Sequence, residues 1–399
     1  MAGPLSPATD RVPDRGDDRH ATRARSTPDA PDRQVLVVGD DLAAAATAGF
    51  LEQAGLDPVF ASAASERARS SVVTIWQPGL ALLERIGLRR PVERTGTRLD
   101  DLDCLTTGQS WTADTASRPS LVAIRRSRLR ELLAQHLRGR IRTTERPVRS
   151  IEPTGAGARA TFEQGIEEPF DTVVTTDRSL VRAHEPSTRP TGLHVWEFEW
   201  PSDHPAPDGP TEAWAETLAA FTLPVPGGTY ARLVSVRETS AAMAVSTDEL
   251  ADRFGRLFDA ADGPFAGLDD GGFEYRQVPR AVPTSLCLGH AALVGPGARA
   301  PVPGSGLGAS FGVEDAWVVA DALAYGPASV DDALATYEDR RQQRMRALCP
   351  RTDDGSVGSR IPTTLSPPLR RLCAARTLAF SHVVDGQLPE LARDVPESL

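Results

Sequence analysis

Apolar and polar positions near the start of the chain predict one strand–helix–strand unit. The run Gln34–Gly39 is apolar up to its closing glycine, which is typical of a buried parallel strand. An alanine-rich helix is expected over Leu42–Gln53, and Pro58–Ala61 predicts a short second strand. These elements follow one another within about thirty residues, which is the length of one βαβ unit. The sequence contains no second copy of the unit.

Later segments carry apolar residues at helical spacing or in short runs. They predict amphipathic helices that pack on a core, and short buried strands. The helices are expected at Trp76–Leu88 with a stop at Gly87, at Ser127–Leu137, through Ala316–Leu323 and at Tyr337–Leu348, and the strands at Asp171–Thr175 and Ser285–Leu288.

Between Leu193 and Val245 the apolar period changes to two. His194, Trp196, Phe198 and Trp200 share one face of a predicted strand. This face has two interpretations: Trp196 and Phe198 line a pocket for a flat apolar ligand, or they are the core side of a half-buried strand. The same block predicts a mixed sheet, with further strands at Thr229–Arg237 and Ala242–Ser246 and a helix from Asp248 with Thr247 as its N-cap.

Composition and charge exclude several classes of function. The chain contains no lysine and no asparagine. Without lysine there is no phosphate loop of the Walker type and no Schiff-base chemistry. The net charge of −10 and the lack of a basic stripe argue against a nucleic-acid partner.

The cysteines and the N-terminal segment favour a cytoplasmic protein. Four scattered cysteines form no CxxC pair, and the histidines show no metal-binding spacing, so no metal site is expected. No apolar run is long enough to span a bilayer. Residues 1–33 are polar and rich in Pro, Asp and Arg, which predicts a disordered tail and no secretory signal.

The turn after the first strand is where a dinucleotide would bind. A GxGxxG turn lets the backbone approach a pyrophosphate at the amino end of the helix. Here only Gly39 remains of the three glycines, because Asp41 and Ala44 occupy the other two positions. The acidic residue expected after the second strand, which would bind a ribose hydroxyl, falls on Ser62. The unit taken alone fits either a bound dinucleotide or a βαβ unit that merely packs.

A second glycine-rich segment is more specific. Pro303 precedes Gly306-Leu307-Gly308, and Asp315-Ala316 follows. The segment resembles the PxxGxGxNxxxxDA motif of FAD-dependent flavoprotein monooxygenases of the aromatic-hydroxylase type, with Ser310 at the asparagine position. That resemblance places the glycine loop against the flavin ring.

Three other segments resemble motifs of the same family. Gly289-His290 corresponds to the Gly-Asp pair that binds the ribityl chain, although a lone histidine at a strand end is also typical of a structural residue. Arg126 takes the place of an arginine that contacts the flavin. Asp177 lies in a segment similar to the motif that touches both FAD and NAD(P)H, in which Arg178 replaces a glycine and could neutralise a phosphate.

The resemblance implies an α/β fold in which a discontinuous, Rossmann-like three-layer FAD-binding domain is interrupted by a mixed-sheet α+β substrate domain. The expected FAD-binding-type segments are 34–75, 120–185 and 281–348. The expected substrate-domain segments are 76–119 and 186–280. Residues 349–399 form a C-terminal extension whose role the sequence does not indicate.

Two functions follow from these motifs. The resemblance implies an FAD-dependent oxidoreductase, with NAD(P)H as reductant, that inserts oxygen into an aromatic or apolar small molecule. The altered positions Asp41, Ala44, Ser62, Arg178 and His290 favour the alternative, a flavin-free relative that serves as a ligand-binding or regulatory scaffold. The sequence leaves the catalytic residues, the substrate and the oligomeric state open.

Overall fold

The structure is a computed structural model that describes residues 33–63, 71–99, 103–106, 121–182, 189–236, 246–258, 263–280, 285–298, 306–348, 365–366 and 369–370. The strands are β1 Val35–Val38, β2 Val59–Ala63, β3 Val72–Trp76, β4 Thr97–Leu99, β5 Asp103–Thr106, β6 Leu121–Arg125, β7 Arg142–Thr154, β8 Gly157–Phe162, β9 Glu167–Phe170, β10 Thr172–Thr175, β11 Arg189–Glu199, β12 Thr211–Trp214, β13 Leu218–Val225, β14 Gly228–Val236, β15 Glu274–Arg280, β16 Cys287–Leu288 and β17 Ala291–Leu293. The α-helices are α1 Leu42–Gln53, α2 Gln77–Arg85, α3 Arg89–Thr95, α4 Arg126–Leu137, α5 Thr247–Phe254, α6 Gly308–Tyr325 and α7 Val330–Leu348.

The larger sheet has the order β16-β17-β10-β1-β2-β7-β8-β9. Its centre is parallel, and Val37 of β1 pairs with Val174 on one side and with Phe60 on the other. The antiparallel strands β7, β8 and β9 extend one edge, and β16 pairs with β17 at the other. The predicted βαβ unit is confirmed as β1-α1-β2, since both strands are parallel neighbours.

Small residues let α1 and α6 approach closely above this sheet. A side-chain carbon added to Gly312 of α6 would lie 2.9 Å from Cβ of Ala43 in α1, and one added to Gly295 would lie 2.6 Å from it. Both distances are too short for non-bonded carbons. The alanine-rich pattern of α1 is therefore a packing requirement, and the helix is buried from Leu42 to Leu51.

The second sheet has the order β15-β11-β14-β13-β12-β5. It is antiparallel except for the parallel pair β12–β5. A third, small sheet of β3, β6 and β4 joins the two, because β6 contacts β13. The predicted α/β fold with mixed sheets is confirmed, whereas the domain boundaries stay a prediction.

Local boundaries depart from the sequence analysis around α5. Ser246, and not Thr247, is the N-cap: its hydroxyl accepts from the backbone N–H of Glu249, whose carboxylate accepts from the Ser246 N–H. This reciprocal capping box needs the serine three residues before the glutamate, which explains the shift of one residue. Of the strand predicted at Ala242–Ser246, residues 242–245 lie outside the described residues.

The two ends of the chain differ from the expected tails where they are described. Residues 1–32 of the predicted tail lie outside the described residues, but Arg33 is buried. Its guanidinium donates to the carbonyls of Leu323, Pro327 and Ala328 at the carboxyl end of α6. In the C-terminal extension, the buried Leu365 and Leu369 pack on the second sheet. No described helix is both long and apolar enough to cross a membrane.

A buried ion cluster fastens α6, α7 and the loop after β17. Arg341 of α7 donates from Nη1 to Glu314 at 2.9 Å and from Nε to Asp315 at 2.5 Å. The second oxygen of Asp315 accepts from the backbone N–H of Gly295 at 2.9 Å. All three charged side chains are almost fully buried, so each depends on the others for its solvation.

Replacing Arg341 with leucine is expected to destabilise the fold by about 3–5 kcal/mol, because it removes the cation of the buried Asp315 and leaves the buried Glu314 with Arg344 alone. Denaturant unfolding of the purified variant measures this loss. Arg340→Leu is the matched control, since Arg340 pairs with Asp321 at a part-exposed position and its loss should cost about 1 kcal/mol or less. Equal losses in the two variants would contradict the assignment.

Candidate functional site

The carboxyl ends of β1 and β10 define the crevice where ligands bind in open α/β sheets. The carboxyl ends of β1 and β10 lie side by side because the two strands are parallel neighbours, and ligands of open α/β sheets bind outside the carboxyl ends of the strands. Gly39 ends β1 with φ +155°. A side-chain carbon at Gly39 would lie 2.4 Å from the hydroxyl of Thr176, which follows β10. Packing against Thr176 therefore requires glycine at this position, whether or not a ligand binds.

Asp41 occupies the amino end of α1 with its own carboxylate. It is the N-cap residue, and its Oδ1 accepts from the backbone N–H of Ala44 at 3.1 Å. Asp41 is buried, with 7% of its surface exposed. A negative charge therefore sits where the resemblance would place the pyrophosphate closest to the backbone.

Gly289 and His290 lie at the wrong end of the sheet for the predicted ribityl contact. They form the turn between β16 and β17, at the amino end of β17, whereas the crevice lies at its carboxyl end. The ring of His290 bonds the carbonyl of Asp171 at 2.7 Å and the carboxylate of Asp331 at 3.1 Å. The prediction that this pair binds cofactor is wrong, and His290 has the structural role considered as its alternative.

The loop that does reach the crevice is Gly295-Pro296-Gly297, directly after β17. A side-chain carbon at Gly297 would lie 3.0 Å from the Thr175 carbonyl. The sequence analysis missed this loop, although its spacing indicated it. The number of residues from Gly295 to Pro303 matches that of the family's motif without an insertion. Pro296 then stands at the motif's aspartate position and offers no polar atom to a ribityl hydroxyl.

Other predicted flavin contacts are engaged within the protein. Asp177 accepts from the N–H of Ser179 at 2.9 Å and from its hydroxyl at 2.7 Å. Ser310 is fully buried and accepts from the backbone N–H of Trp76 at 3.0 Å. The carbonyl of Gly306 accepts from the Thr74 hydroxyl at 2.6 Å. These polar groups stabilise the apo fold.

Three predicted residues are placed in the expected elements. Ser62 is half-buried in β2 and Arg126 is half-buried as the first residue of α4. Gly308 is the first residue of α6. Because Asp41 places a carboxylate at the amino end of α1 and the side chain of Pro296 has no polar atom, the described residues do not fit the pyrophosphate and ribityl groups of FAD. Among the described residues no cluster suits a metal ion either.

A second candidate region lies where the glycine loop faces the antiparallel sheet. A narrow cavity of about 30 Å³ separates Gly306 and Leu307 from β12, β13 and β14. Its apolar walls include Trp76 and Phe221, and its polar lining includes Glu212 and Arg232. The volume suffices for water alone, so an organic ligand would have to displace side chains.

Trp196 and Phe198 lie on the opposite face of that sheet, so the prediction that they line the pocket is wrong for this cavity. They belong to an apolar cluster with α5, in which Trp196 meets Phe254 edge to face at 5.7 Å. The alternation along β11 correctly predicts that Trp196 and Phe198 share a face. It does not predict which face packs against α5. Their alternate neighbour Glu197 points to the side of the cavity.

Glu197 and two arginines form a buried ionic network on the cavity side. Oε1 of Glu197 accepts from Nε of Arg232 at 2.7 Å and from Nη2 of Arg276 at 3.1 Å. Burial by itself would raise the pKa of Glu197, but Arg232, Arg276 and the Tyr230 hydroxyl outweigh it and lower that pKa to about 2. The sequence did contain a signal for this network, because each of the predicted strands β11 and β14 carries a charged residue, Glu197 and Arg232.

Comparisons with known proteins agree with the resemblance in fold. No protein-family model and no curated protein matches the sequence. A salicylate hydroxylase substrate complex matches with a TM-score of 0.68 at 16% identity, covering 91% of this chain and 97% of that one. HpxO of Klebsiella pneumoniae, solved with FAD and uric acid, matches with a TM-score of 0.65 at 21% identity, covering 91% and 93%. The tetracycline destructase Tet(51) matches with a TM-score of 0.64 at 16% identity, covering 92% and 100%. The chain has the fold of FAD-dependent aromatic hydroxylases.

The Glu197 network predicts a specific acid sensitivity. Because the folded-state pKa of about 2 lies below the ordinary 4.5, its stabilisation is complete above pH 4.5 and is lost as the pH falls toward 2. Wild-type protein is therefore expected to lose more stability across that window than Glu197→Gln, measured by urea unfolding at each pH. Glu152→Gln, at an exposed position of β7, should keep the wild-type slope.

Proposed function

We propose that this chain is a flavin-free binding protein for a small molecule, built on the fold of the aromatic hydroxylases. The single observation that carries the proposal is the carboxylate of Asp41 at the amino end of α1. Two unit charges of like sign at about 4 Å repel by about 4 kcal/mol near a protein surface. That repulsion alone weakens a pyrophosphate complex by about a thousandfold.

The other altered positions support the same function. Pro296 cannot donate or accept through its side chain, so the bond that the motif's aspartate would make to a ribityl hydroxyl is lost. Each lost charge-assisted bond adds about 1.5–3 kcal/mol to the deficit. A site of nanomolar affinity thereby falls to the micromolar range or weaker.

A second function stands beside this one because the fold favours it. HpxO was solved with FAD and uric acid, and the present chain shares that fold and keeps Gly306 and Gly308 at the start of α6. An FAD-dependent, NAD(P)H-linked monooxygenase acting on an aromatic small molecule is therefore the competing candidate. Because the described residues do not fit FAD, no reaction step is assigned to it.

Flavin retention separates the two functions. Wild-type protein incubated with excess FAD and passed through gel filtration is expected to emerge without flavin absorbance, since Asp41 repels the pyrophosphate. Asp41→Gly is expected to bind FAD about a thousandfold more tightly than wild type, once about 4 kcal/mol of repulsion is removed. Fluorescence quenching of FAD on titration measures both affinities.

Asp40→Gly is the matched control for this experiment. Asp40 is the adjacent carboxylate, but its side chain is 40% exposed and lies 3.5 Å from Arg130, so solvent and the arginine screen it. Its removal should change FAD affinity by less than tenfold. Wild-type protein that retains one flavin per chain would overturn the proposed function, and NAD(P)H oxidation with aromatic substrates would then be tested.

A further inference from the structure

Arg178 is a buried cation that lacks a described anion. It begins the 3-10 turn Arg178–Leu180 after β10 and is 7% exposed. Its guanidinium makes one hydrogen bond, from Nη1 to the carbonyl of Ser285 at 3.3 Å, while Nε is buried without a partner. Within the described part of the chain, no carboxylate lies within ion-pairing distance. Burial lowers the pKa of Arg178, with no opposing charge.

The other buried arginines among the described residues are compensated within the protein. Arg341 pairs with Glu314 and Asp315, and Arg33 donates to three backbone carbonyls. Taking an unpaired charge out of water is unfavourable unless something compensates it. Among the described residues, Arg178 is therefore the buried cation that has no compensating anion.

Arg178 follows β10 at the carboxyl edge of the larger sheet. Its guanidinium lies beside Ser285, which precedes β16. The glycine N–H groups of this edge are already used: Gly39 donates to Ala61, Gly295 to Asp315 and Gly297 to Val294. The guanidinium of Arg178 remains as a donor.

We propose that Arg178 forms a binding site for an oxyanion, a phosphate or carboxylate group of the small-molecule ligand. A guanidinium offers paired donors that match the oxygens of either group. The inference rests on the proposed function in one respect, namely that flavin does not fill the crevice. It assigns the ligand a class, a compact metabolite with an anionic group that binds at the carboxyl edge of the sheet.

Thermal unfolding with inorganic phosphate at low ionic strength tests this site. The wild-type midpoint is expected to rise with phosphate concentration, because an anion that binds only the folded state stabilises it. Arg178→Met is expected to weaken the phosphate affinity by at least about tenfold. Without phosphate, the same variant is expected to be at least as stable as wild type, since it removes an uncompensated buried charge.

A control variant sharpens the test. Arg182→Met is the control, because Arg182 lies in the same segment with an exposed side chain and should leave the phosphate response unchanged. Acetate in place of phosphate distinguishes a carboxylate site, and a response to either anion that Arg178→Met abolishes supports the inference.

The overturning results differ from those of the flavin experiment. An Arg178→Met variant that is less stable than wild type and keeps the phosphate response would make Arg178 a structural residue. The absence of any response to phosphate or acetate in wild type would also overturn the site. Retained flavin, by contrast, overturns the proposed function and leaves the anion measurements to be judged on their own.

Discussion

The buried carboxylate of Asp315 holds together the parts on which the rest of the molecule depends. It joins the N–H of Gly295, in the loop after the central strands, to Arg341 of α7. That link fixes the loop against α1, where Gly295 and Gly312 admit Ala43 at close range. The position of α1 on the sheet, and hence the shape of the crevice at its amino end, follows from this contact between charges shielded from water.

Stability and ligand chemistry are separable in this architecture. The polar groups that a dinucleotide would use are few, and the apo fold employs several of them itself, as Asp177 with Ser179 and Ser310 with Trp76 demonstrate. The apolar core of both sheets does not involve them. A chain can therefore keep a fold shared with salicylate hydroxylase and HpxO while the residues at the crevice change.

The sequence predicted the central elements because their patterns are local. The apolar run of β1 and the alanines of α1 determine strand and helix without reference to distant residues. The motif was placed at Gly289-His290 because the predicted strand Ser285–Leu288, which contains β16, was taken as the strand that leads into the crevice. The strand that does so is β17, whose three residues are too few to predict. Which face of β11 meets α5 depends on contacts between distant segments. Trp196 was accordingly assigned to the pocket and Glu197 was overlooked, since a period of two defines a face but not its neighbour.

The cap made by Asp41 has a consequence for the life of the protein in the cell. Flavoproteins gain part of their folded stability from the cofactor by mass action, so their folded fraction follows the cofactor supply. A helix whose amino end is neutralised by its own carboxylate draws that stability from the chain. If the proposed function holds, the amount of this protein that is folded does not depend on the supply of riboflavin. Riboflavin starvation would deplete its flavin-binding structural relatives and leave this protein intact.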